Sequence, residues 1–494
     1  MQFWITIGLI LVLSALGLTY EIAAGRVLAP FFGTSLLTWT SVIATVLAGF
    51  SLGSAWGGFV AEQERQDAVG TVRGALVATA VLMALSPTAL GLVHAWGARG
   101  TGGMLLSVVL AFFPASVFVT LPSPYLAKRA IEARPGREGS SLGVVLAAGS
   151  LGAILGAVLA GFVALPLLGS AATFAVCGGA ALLCLAFVRC DTTGRETGET
   201  VRTPGPPGGV VVAAAAFVVL AGVAGGPLCQ YESGLSCIHV APRGGDIRLF
   251  SDRTLQAAEP AVLEDADEER SELALSYTQW IWTRMDHDLG ADPSVLFVGG
   301  GGYTLPTRLL ASRPGAEAIT VEIDPLVTKV VRRHMPRAGD MIERTGYDAE
   351  NAGESETARL GIVHADGRVF LNETDRRFDA AVMDAFSSSS VPAHLVTRET
   401  FTRLRQIVDG PVYVNLIDTP DGPLARGVHA ILADLYPHVE AVQGDTNAFG
   451  RANLVLAASG APLAALDTLP EGYARTEISP GRAFTDDRGW VGHR

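Results

Sequence analysis

The chain has 494 residues, of which 49% are hydrophobic and only 17% are charged. This composition is too apolar for an ordinary soluble enzyme, and a net charge of −12 without a basic patch excludes a typical nucleic-acid-binding protein. Residues 1–227 hold 11 basic residues (Lys and Arg) and 9 acidic residues (Asp and Glu). The remainder of the chain holds 25 basic and 39 acidic residues, which gives it a net charge of −14. A nearly neutral, apolar half therefore precedes an acidic, polar half.

The apolar half is predicted to be a bundle of membrane helices, because it holds long hydrophobic stretches with few charges. Seven spans are predicted at about residues 3–20, 37–60, 74–96, 104–126, 142–168, 171–188 and 210–223. The first has the alternative of a signal peptide, but it lacks a basic leading region and a clear cleavage site. The seventh is short, so the number of crossings depends on it.

Small residues and one pair of charges stand out in this half. Gly152 and Gly156 lie four residues apart in the fifth span, a spacing that lets helix backbones approach closely, and we interpret them as packing residues. Glu21 and Arg26 lie just past the first span and are expected to form an ion pair that orients the first loop. A functional site near the membrane boundary is the alternative for this pair.

Basic residues are distributed unevenly between the loops. The second, fourth and sixth loops hold nine Lys and Arg, and the first, third and fifth hold only two. Because positively charged loops remain cytoplasmic, this bias places the N-terminus inside and, after seven spans, the acidic half outside.

Cys229 and Cys237 flank a predicted hairpin directly after the last span. Two alternatives stay open for them: a disulfide, which requires an oxidising compartment, or two reduced thiols in a core. Residues 189–208 are rich in Gly, Pro and Thr and predict a linker. The predicted domains are a transmembrane helical domain at 1–188, this linker, a last transmembrane helix at 209–227, a small β-domain with its lead-in helix at 228–285 and a nucleotide-binding domain at 286–494.

A Gly-rich turn lies at the centre of the acidic half. Four glycines, Gly299, Gly300, Gly301 and Gly302, follow the buried strand 295–298, and the strand 319–321 ends in Glu322 and Asp324. Glycines let the backbone approach a ligand, and an acid at the end of the next strand takes the hydroxyls of a ribose. The spacing is not G-x-G-x-x-G, so we predict a nucleotide other than NAD, bound by an α/β Rossmann-like sheet.

Two further strand ends carry acids. Asp366, with Gly367 after it, follows the strand 360–363, and Asp384 ends the strand that begins at Phe378. Ligands of open α/β sheets bind at the carboxyl ends of the strands, so both acids are expected beside Glu322. Asp366 is the candidate for contacting an adenine amine with the backbone of Gly367 nearby, and Asp384 is the candidate catalytic residue.

Acids at three successive strand ends after a Gly-rich turn make the chain from Cys229 onward similar to the spermidine synthase, or polyamine aminopropyltransferase, family. The whole chain resembles the membrane-fused members of that family. The resemblance implies an α-helical membrane bundle of about seven helices, then an α/β Rossmann-like S-adenosylmethionine-dependent methyltransferase fold with a small N-terminal β-domain. It also implies S-adenosylmethionine or its decarboxylated form as co-substrate. No Cys/His spacing suggests a metal site.

Several site residues are assigned by this resemblance alone. Gln256 matches the last residue of the family's Asp-Gly-x-x-Gln and would bind the methionine-derived part of the co-substrate. Tyr277 matches a position near the active site, and Glu232 matches an acid that precedes a Tyr-Gln pair absent here. Asp384 matches the first acid of Asp-Ser-Ser-Asp-Pro, which holds the attacking amine and helps to remove its proton, as only a neutral amine has a lone pair for attack.

Two departures from the family bear on the substrates. Gly302 stands where the family has the Asp of Gly-Gly-Gly-Asp-Gly, whose charge helps to exclude the carboxylate of intact S-adenosylmethionine. Without that like-charge repulsion, which costs several kcal/mol when desolvated, intact S-adenosylmethionine is an alternative donor. This chain also lacks the second acid of the family's Asp-Ser-Ser-Asp-Pro. Ser387 and Ser388, which follow Asp384 in this segment, are expected to hydrogen-bond an amine, a carboxylate or a lipid headgroup.

The sequence therefore predicts a membrane-bound transferase that moves an aminopropyl or related group to an amine. One alternative is methyl transfer, aminocarboxypropyl transfer or fragmentation of intact S-adenosylmethionine; the other is a transporter or sensor with a non-catalytic nucleotide-binding domain. Expected partners are a small-molecule amine or membrane-derived acceptor, the lipid bilayer and a second copy in a homodimer, without nucleic acid. The expected location is multi-pass in the plasma membrane. The charge bias places the catalytic half outside, whereas a cytosolic co-substrate supply favours the inside, and the conflict disappears if the seventh span does not cross.

Overall fold

The structure is a computed structural model that describes residues 2–32, 36–189, 204–224, 229–252, 254–261, 273–350, 358–385, 391–447, 450–466 and 468–488. The chain divides into two compact units, Met1–Cys237 and Ile238–Arg494. Most of the predicted linker, residues 190–203, lies outside the described residues, and the predicted domain boundaries stay a prediction.

The described part of the first unit is helical. Its elements are α1 (Gln2–Phe32), α2 (Leu36–Glu62), α3 (Arg65–Ala95), α4 (Gly100–Thr120), α5 (Pro122–Glu132), α6 (Glu138–Leu159), a π-helical turn (Ala160–Ala164), α7 (Leu165–Cys184), α8 (Gly208–Ala224) and the short strand β1 (Tyr231–Glu232). Five segments of the described chain are long and apolar enough to cross a membrane, and Gly208–Val223 is a shorter apolar helix. The lengths and compositions of these helices support a membrane bundle, but they do not establish the predicted number of seven crossings.

One of these five segments, Glu138–Cys184, contains both the fifth and the sixth predicted span. It is 47 residues long, about twice what a single crossing needs. Gly169 interrupts it with φ of +77° and ψ of 173°, a conformation open to glycine but strained for other residues.

The first helix is longer than the sequence predicted. The predicted span ended at about Tyr20, but α1 continues to Phe32, because the following residues are mostly apolar helix formers. Glu21 and Arg26 therefore lie within α1 and not in a loop, and both are buried. The carboxylate closest to Arg26 in the described chain belongs to Glu232, at 3.9 Å, so the expected role in orienting a loop is corrected.

Close packing by glycine is confirmed in this bundle. A Cβ atom added at Gly152 would lie 2.2 Å from the carbonyl oxygen of Leu11, and one at Gly156 would lie 2.2 Å from that of Ala15. The backbones of α6 and α1 thus touch where the sequence supplies no side chain, as expected for small residues at this spacing.

Cys229 and Cys237, at the end of the first unit, form a disulfide with a Cα–Cα distance of 5.4 Å. The structure therefore favours the disulfide over the two reduced thiols. The bond closes a short loop that contains β1.

The second unit begins with an antiparallel meander, followed by a helix: β2 (Cys237–Arg243), β3 (Asp246–Ser251), β4 (Thr254–Pro260) and α9 (Ser276–Asp288). β3 pairs with both of its neighbours. This meander lies at the place where the family resemblance implies a small β-domain, and a separate domain there stays a prediction.

A nine-stranded sheet follows, with helices between its strands. The elements are β5 (Ser294–Val298), α10 (Thr304–Ser312), β6 (Glu317–Val321), α11 (Pro325–His334), α12 (Pro336–Thr345), β7 (Gly346–Asp348), β8 (Leu360–Val363), α13 (Gly367–Glu373), β9 (Ala380–Met383), a 3₁₀ turn (Ala393–Leu395), α14 (Arg398–Ile407), β10 (Val412–Asp418), α15 (Pro423–Leu435), β11 (His438–Gln443), β12 (Ala452–Ser459) and β13 (Ala474–Arg475).

The strand order of this sheet is β7-β8-β6-β5-β9-β10-β12-β11-β13. The strands from β7 to β10 run parallel, and β12 is antiparallel to both β10 and β11. Strands β8 and β9 are fully buried apolar runs, which is typical of parallel sheets covered on both faces. From β5 the chain builds outward through β6 and β8, then returns to place β9 on the other side of β5. This reversal is the point at which Rossmann-like sheets bind their ligands.

Candidate active site

The Gly-rich turn joins β5 to α10 at the reversal point. Gly299 and Gly301 have φ of +104° and +49°, which favour glycine. A Cβ atom at Gly299 would lie 2.4 Å from the carbonyl oxygen of Asp384, so the turn packs directly on the end of β9. Two of the predicted strand ends are thus adjacent.

Glu322, at the end of β6, holds this turn. Its Oε2 accepts hydrogen bonds from the N–H groups of Gly300, at 2.9 Å, and Gly301, at 3.3 Å, while its Oε1 accepts one from the N–H of Asp324, at 2.9 Å. Burial raises the pKa of the Glu322 carboxyl, and these backbone hydrogen bonds oppose that rise. The predicted contact with a ribose stays a prediction, and the structure adds that Glu322 positions the turn.

Two of the other predicted strand-end acids, Asp324 and Asp366, begin helices. Asp324 accepts a hydrogen bond from the N–H of Leu326 and caps α11, and Asp366 accepts one from the N–H of Arg368 and caps α13. The second oxygen of Asp366 lies 2.9 Å from Nε2 of His394. Capping explains acids at both positions without any ligand. Roles in co-substrate binding for Asp324 and Asp366 remain predictions.

Gly367 is the first residue of α13 and lies against β5. A Cβ atom there would come within 2.6 Å of the Val298 side chain. The start of α13 is therefore packed against the strand that leads into the Gly-rich turn.

Asp384 is the centre of a hydrogen-bonded group at the end of β9. Its Oδ2 accepts a hydrogen bond from the hydroxyl of Tyr277, at 2.9 Å, and its Oδ1 accepts one from Nδ2 of Asn415, at 2.9 Å. Asn453 in turn donates to the side-chain oxygen of Asn415, at 3.0 Å. Burial raises the pKa of Asp384 to about 6, against the lowering effect of the hydrogen bonds from Asn415 and Tyr277. The group is ionised near neutral pH yet close enough to that range to accept a proton.

Tyr277, on α9, was predicted to lie near the active site, and its hydroxyl is hydrogen-bonded to Asp384. Burial, followed by the negative charge of Asp384, raises the pKa of the Tyr277 hydroxyl well above its ordinary value. Tyr277 therefore remains a hydrogen-bond donor throughout the physiological pH range.

Gln256, on β4, lies beside the Gly-rich turn, with its carbonyl oxygen 3.9 Å from the Cβ position of Gly301. Its side-chain Nε2 is buried and has no hydrogen-bond partner among the described residues. A buried N–H group left unpaired costs about 1–3 kcal/mol unless a ligand or a water molecule accepts its hydrogen bond. Gln256 thus fits a position that contacts a polar group of a bound molecule.

Gly302 faces β4 at very close range. A Cβ atom there would lie 2.0 Å from the Cβ of Ala257, so no larger residue fits without movement of β4. At position 302, where the family has an aspartate, β4 therefore lies too close to leave space for an acidic side chain.

Three other predicted site residues, Glu232, Ser387 and Ser388, are not among the described side chains of the second unit. Glu232 belongs to the first unit, where its carboxylate accepts hydrogen bonds from the N–H of Ser170, at 3.1 and 3.2 Å, and from the Ser170 hydroxyl. Ser387 and Ser388 lie outside the described residues. Substrate-binding roles for all three remain predictions.

Asn415 and Asn453 were not found by reasoning from the sequence. Asn415 lies in the middle of β10, where the run Val-Tyr-Val-Asn-Leu-Ile is apolar apart from it, and it is only 3% exposed. A buried amide inside an apolar strand needs a polar partner, and that requirement was the available signal.

Within the described residues, no group of three or more His, Cys, Asp or Glu side chains is placed to hold a metal ion. A reaction without a metal stays a prediction.

Sequence comparison finds curated relatives over part of the chain. The chain matches no family model. It is 25% identical over 124 residues to the polyamine aminopropyltransferase of Korarchaeum cryptofilum, covering 25% of this chain and 35% of that protein. It is 33% identical over 96 residues to the polyamine aminopropyltransferase of Serratia proteamaculans, and this match covers 19% of this chain and 29% of that protein. The chain thus spans about a third of the length of these curated relatives.

Among solved structures, a probable spermidine synthase from Corynebacterium glutamicum matches 52% of this chain and 95% of its own, with 16% identity and a TM-score of 0.43. The predicted family resemblance is confirmed by the curated relatives, although identity is low and the match partial. Over the matched residues the chain is therefore similar to polyamine aminopropyltransferases.

Proposed function

We propose that the second unit transfers the aminopropyl group of decarboxylated S-adenosylmethionine, or a related group of S-adenosylmethionine, to an amine. The observation that carries this proposal is the position of Asp384. It is a largely buried carboxylate at the reversal point of the sheet, in contact with the Gly-rich turn and held by two hydrogen-bond donors.

The donor is a nucleoside with a sulfonium, and four groups suit it. The Gly-rich turn allows close approach of its backbone, Glu322 supplies carboxylate lone pairs for ribose hydroxyls, and Asp366 is the candidate for contacting the adenine. Gln256 offers an unpaired buried amide for the methionine-derived part.

The reaction forms a bond between the amine nitrogen and the carbon next to the sulfonium, and it breaks the bond from that carbon to sulfur. The sulfur leaves as a neutral thioether and takes the electron pair of the broken bond. Asp384, with a pKa of about 6, is ionised near neutral pH, so it attracts a cationic amine and accepts the proton that this amine must lose before its lone pair can attack. Tyr277 and Asn415 fix the direction of its two oxygens.

Intact S-adenosylmethionine is the second candidate donor, and Gly302 favours it. No carboxylate stands at that position to repel the carboxylate of the donor, and Ala257 occupies the space where one would lie. Methyl transfer, aminocarboxypropyl transfer and fragmentation all remain open for this donor.

Product analysis distinguishes these reactions. The purified full chain is incubated with either donor and a panel of mono-, di- and polyamines, and the nucleoside products are identified by mass spectrometry. Methylthioadenosine from the decarboxylated donor, together with an amine heavier by one aminopropyl group, is the expected result. Adenosylhomocysteine would indicate methyl transfer instead, and an absence of turnover with either donor would contradict the proposal.

The apolar half is proposed to anchor this unit in the plasma membrane as a multi-pass bundle, so that a membrane-derived amine is also a candidate acceptor. The five membrane-length helices support this location. A homodimer remains a proposal without a specific supporting contact.

A further inference from the structure

The contacts of the first unit show at which end of its bundle the chain leaves the membrane. One end, which we name the basic end, contains the start of α1, the end of α2 and the short helix α5. Lys128, on α5, donates a hydrogen bond to the carbonyl oxygen of Ala61 at 2.6 Å, and the guanidinium of Arg134 lies 3.5 Å from the centre of the Phe3 ring.

The start of α3 and the end of α7 also lie at the basic end. The turn Gln63–Glu64 connects α2 directly to α3. Arg73, near the start of α3, donates hydrogen bonds to the carbonyl oxygens of Leu185 and Val188, just past α7, both at 2.8 Å.

The opposite end, which we name the exit end, contains the end of α1 and the end of α3. The ring of His94 lies 5.0 Å from that of Phe31 and 5.6 Å from that of Phe32. Glu232 contacts Arg26, in the last part of α1, and Ser170, next to the break at Gly169. The break within α7 therefore lies at the exit end as well.

Helix α8 connects the two ends. Just before it, Pro204 lies 3.6 Å from the Cβ position of Gly70, at the basic end. Eight residues after it, Glu232 is at the exit end. The 17 residues of α8 extend about 25 Å as a helix, which falls at the short end of the range that crosses a bilayer.

These contacts support seven crossings. The segment Glu138–Cys184 runs from the basic end through α6, the π-helical turn and the start of α7 to the break at Gly169. The rest of α7 then returns toward Val188, so this segment crosses twice. Together with α1, α2, α3, α4 and α8, the bundle passes between its two ends seven times. An odd number of crossings places Ile238, where the second unit starts, on the side opposite the basic end.

We infer that the second unit faces the extracytoplasmic side of the membrane and acts there. In the described chain, the segments at the basic end carry Arg65, Arg73, Lys128, Arg129, Arg134, Arg137 and Arg189. Counted in the same way, the segments at the exit end carry only Arg26 and Arg99 in the described chain. Because basic loops remain cytoplasmic, the exit end is extracytoplasmic.

The disulfide is an independent observation that leads to the same side. Cys229 and Cys237 flank Glu232, so their bond lies at the exit end, one residue before the second unit. Disulfides persist in oxidising compartments and are rare in a reducing cytosol. Both loop charge and cysteine pairing thus assign this end to the outside.

This placement has a consequence for the order of reactions, which rests on the proposed function. A sulfonium nucleoside carries a permanent charge and does not cross the hydrocarbon core unaided, as charges there are costly. A transport step must therefore deliver the donor across the membrane before transfer, and the acceptor is an amine present outside, either in solution or on a lipid headgroup.

Thiol labelling tests the placement without measuring activity, so its outcome is distinct from that of the proposed function. Glu343→Cys places a thiol on an exposed position of α12, and Gln66→Cys places one at the exposed start of α3, at the basic end. Each full-length variant is expressed, and intact cells are treated with a membrane-impermeant maleimide before and after permeabilisation. The chain without an added cysteine measures the background.

The inference predicts that Glu343→Cys is labelled in intact cells, whereas Gln66→Cys is labelled only after permeabilisation. The reverse pattern, or equal protection of both thiols until permeabilisation, would overturn it. A second readout uses Cys229 and Cys237: alkylation under denaturing conditions is expected to modify them only after a reductant is added. Free thiols at both positions in freshly prepared membranes would show that the disulfide does not form, and this result would count against an extracytoplasmic position of the exit end.

Discussion

Asp384 combines two properties that usually oppose each other, burial and ionisation. Its pKa of about 6 reflects a balance in which burial favours the protonated form and two hydrogen-bond donors favour the carboxylate. A buried carboxylate held in this way costs stability, and such a cost is common at functional sites. Three predictions at the scale of single residues follow from this balance.

The first prediction concerns turnover by Asp384→Asn. Asparagine can accept the hydrogen bond from Asn415 and donate one to the hydroxyl of Tyr277, but it cannot accept a proton from the amine. We expect kcat/KM to fall by about 10²–10⁴-fold while donor affinity changes little. Steady-state kinetics and calorimetric donor titration measure the two quantities. Unchanged turnover would remove Asp384 from the reaction.

The second prediction concerns the stability of the same variant. The folded pKa of Asp384 is raised from 3.8 to about 6, so its folded carboxyl retains a proton that the unfolded chain has released. Its contribution to the free energy of unfolding therefore declines as pH rises through that window, by at most about 3 kcal/mol. We expect Asp384→Asn to melt above the parent near neutral pH and to lose this advantage below pH 4. A constant difference across pH would contradict the account.

The third prediction concerns Tyr277→Phe. Removing its hydroxyl deletes one of the two donors that lower the pKa of Asp384, so the acid limb of the kcat/KM profile should move to higher pH. A hydrogen bond to a charged group is worth about 1.5–3 kcal/mol, which corresponds to roughly one to two pH units. Tyr413→Phe is the matched control, because its buried hydroxyl donates to Asp288 instead. An acid limb that shifts equally in both variants would count against the assignment.

At the scale of elements, the site depends on the contact between the Gly-rich turn and β4. Glu322 fixes the turn from one side, and Ala257 fills the space beside Gly302 on the other. We therefore expect the preference for a donor to depend on two features: the absence of an acid at position 302, and the distance between the Gly-rich turn and β4.

A pair of substitutions tests this contact. Gly302→Asp alone should weaken the binding of either donor, because its Cβ would overlap with that of Ala257. Adding Ala257→Gly creates space, and we expect the double variant to prefer the decarboxylated donor over intact S-adenosylmethionine by about tenfold or more through charge repulsion. Ala257→Gly alone is the control for loosening of the strand. Equal affinity of the double variant for both donors would refute the proposed role of this position.

At the scale of the whole molecule, the end of the first unit is held by the disulfide and by the contacts of Glu232 with Arg26 and Ser170. The disulfide closes a loop with a sequence separation of eight. By loop-closure entropy it should contribute roughly 2–3 kcal/mol to the stability of this segment. We expect the double variant Cys229→Ser with Cys237→Ser, or the reduced parent, to be cleaved by protease faster between residues 229 and 237. Equal cleavage rates would show that the other contacts suffice.

The fold of the second unit was largely predictable from the sequence, because short buried strands, a Gly-rich turn and strand-end acids are local signals. The association of Tyr277 with Asp384 followed only from the family resemblance. Asn415 escaped prediction because its role depends on which strand lies next to β9, and pairing between distant segments is not encoded locally. The same reason explains Glu232: its contact with Ser170 joins residues 62 positions apart. The end of α1 was misplaced because charge at Glu21 and Arg26 was taken as a boundary, although both side chains are buried within the bundle.

We propose that the second unit binds a sulfonium nucleoside beside Glu322 and Asp384. Calorimetric titration of the purified full chain with decarboxylated and intact S-adenosylmethionine tests it most directly, with Glu322→Ala as the comparison. We expect saturable binding of at least one donor. This binding should weaken by about tenfold or more when Glu322 is replaced, because the turn loses its support and the ribose loses a partner. Heat signals at the level of dilution for both donors, or equal affinity in the variant, would contradict it.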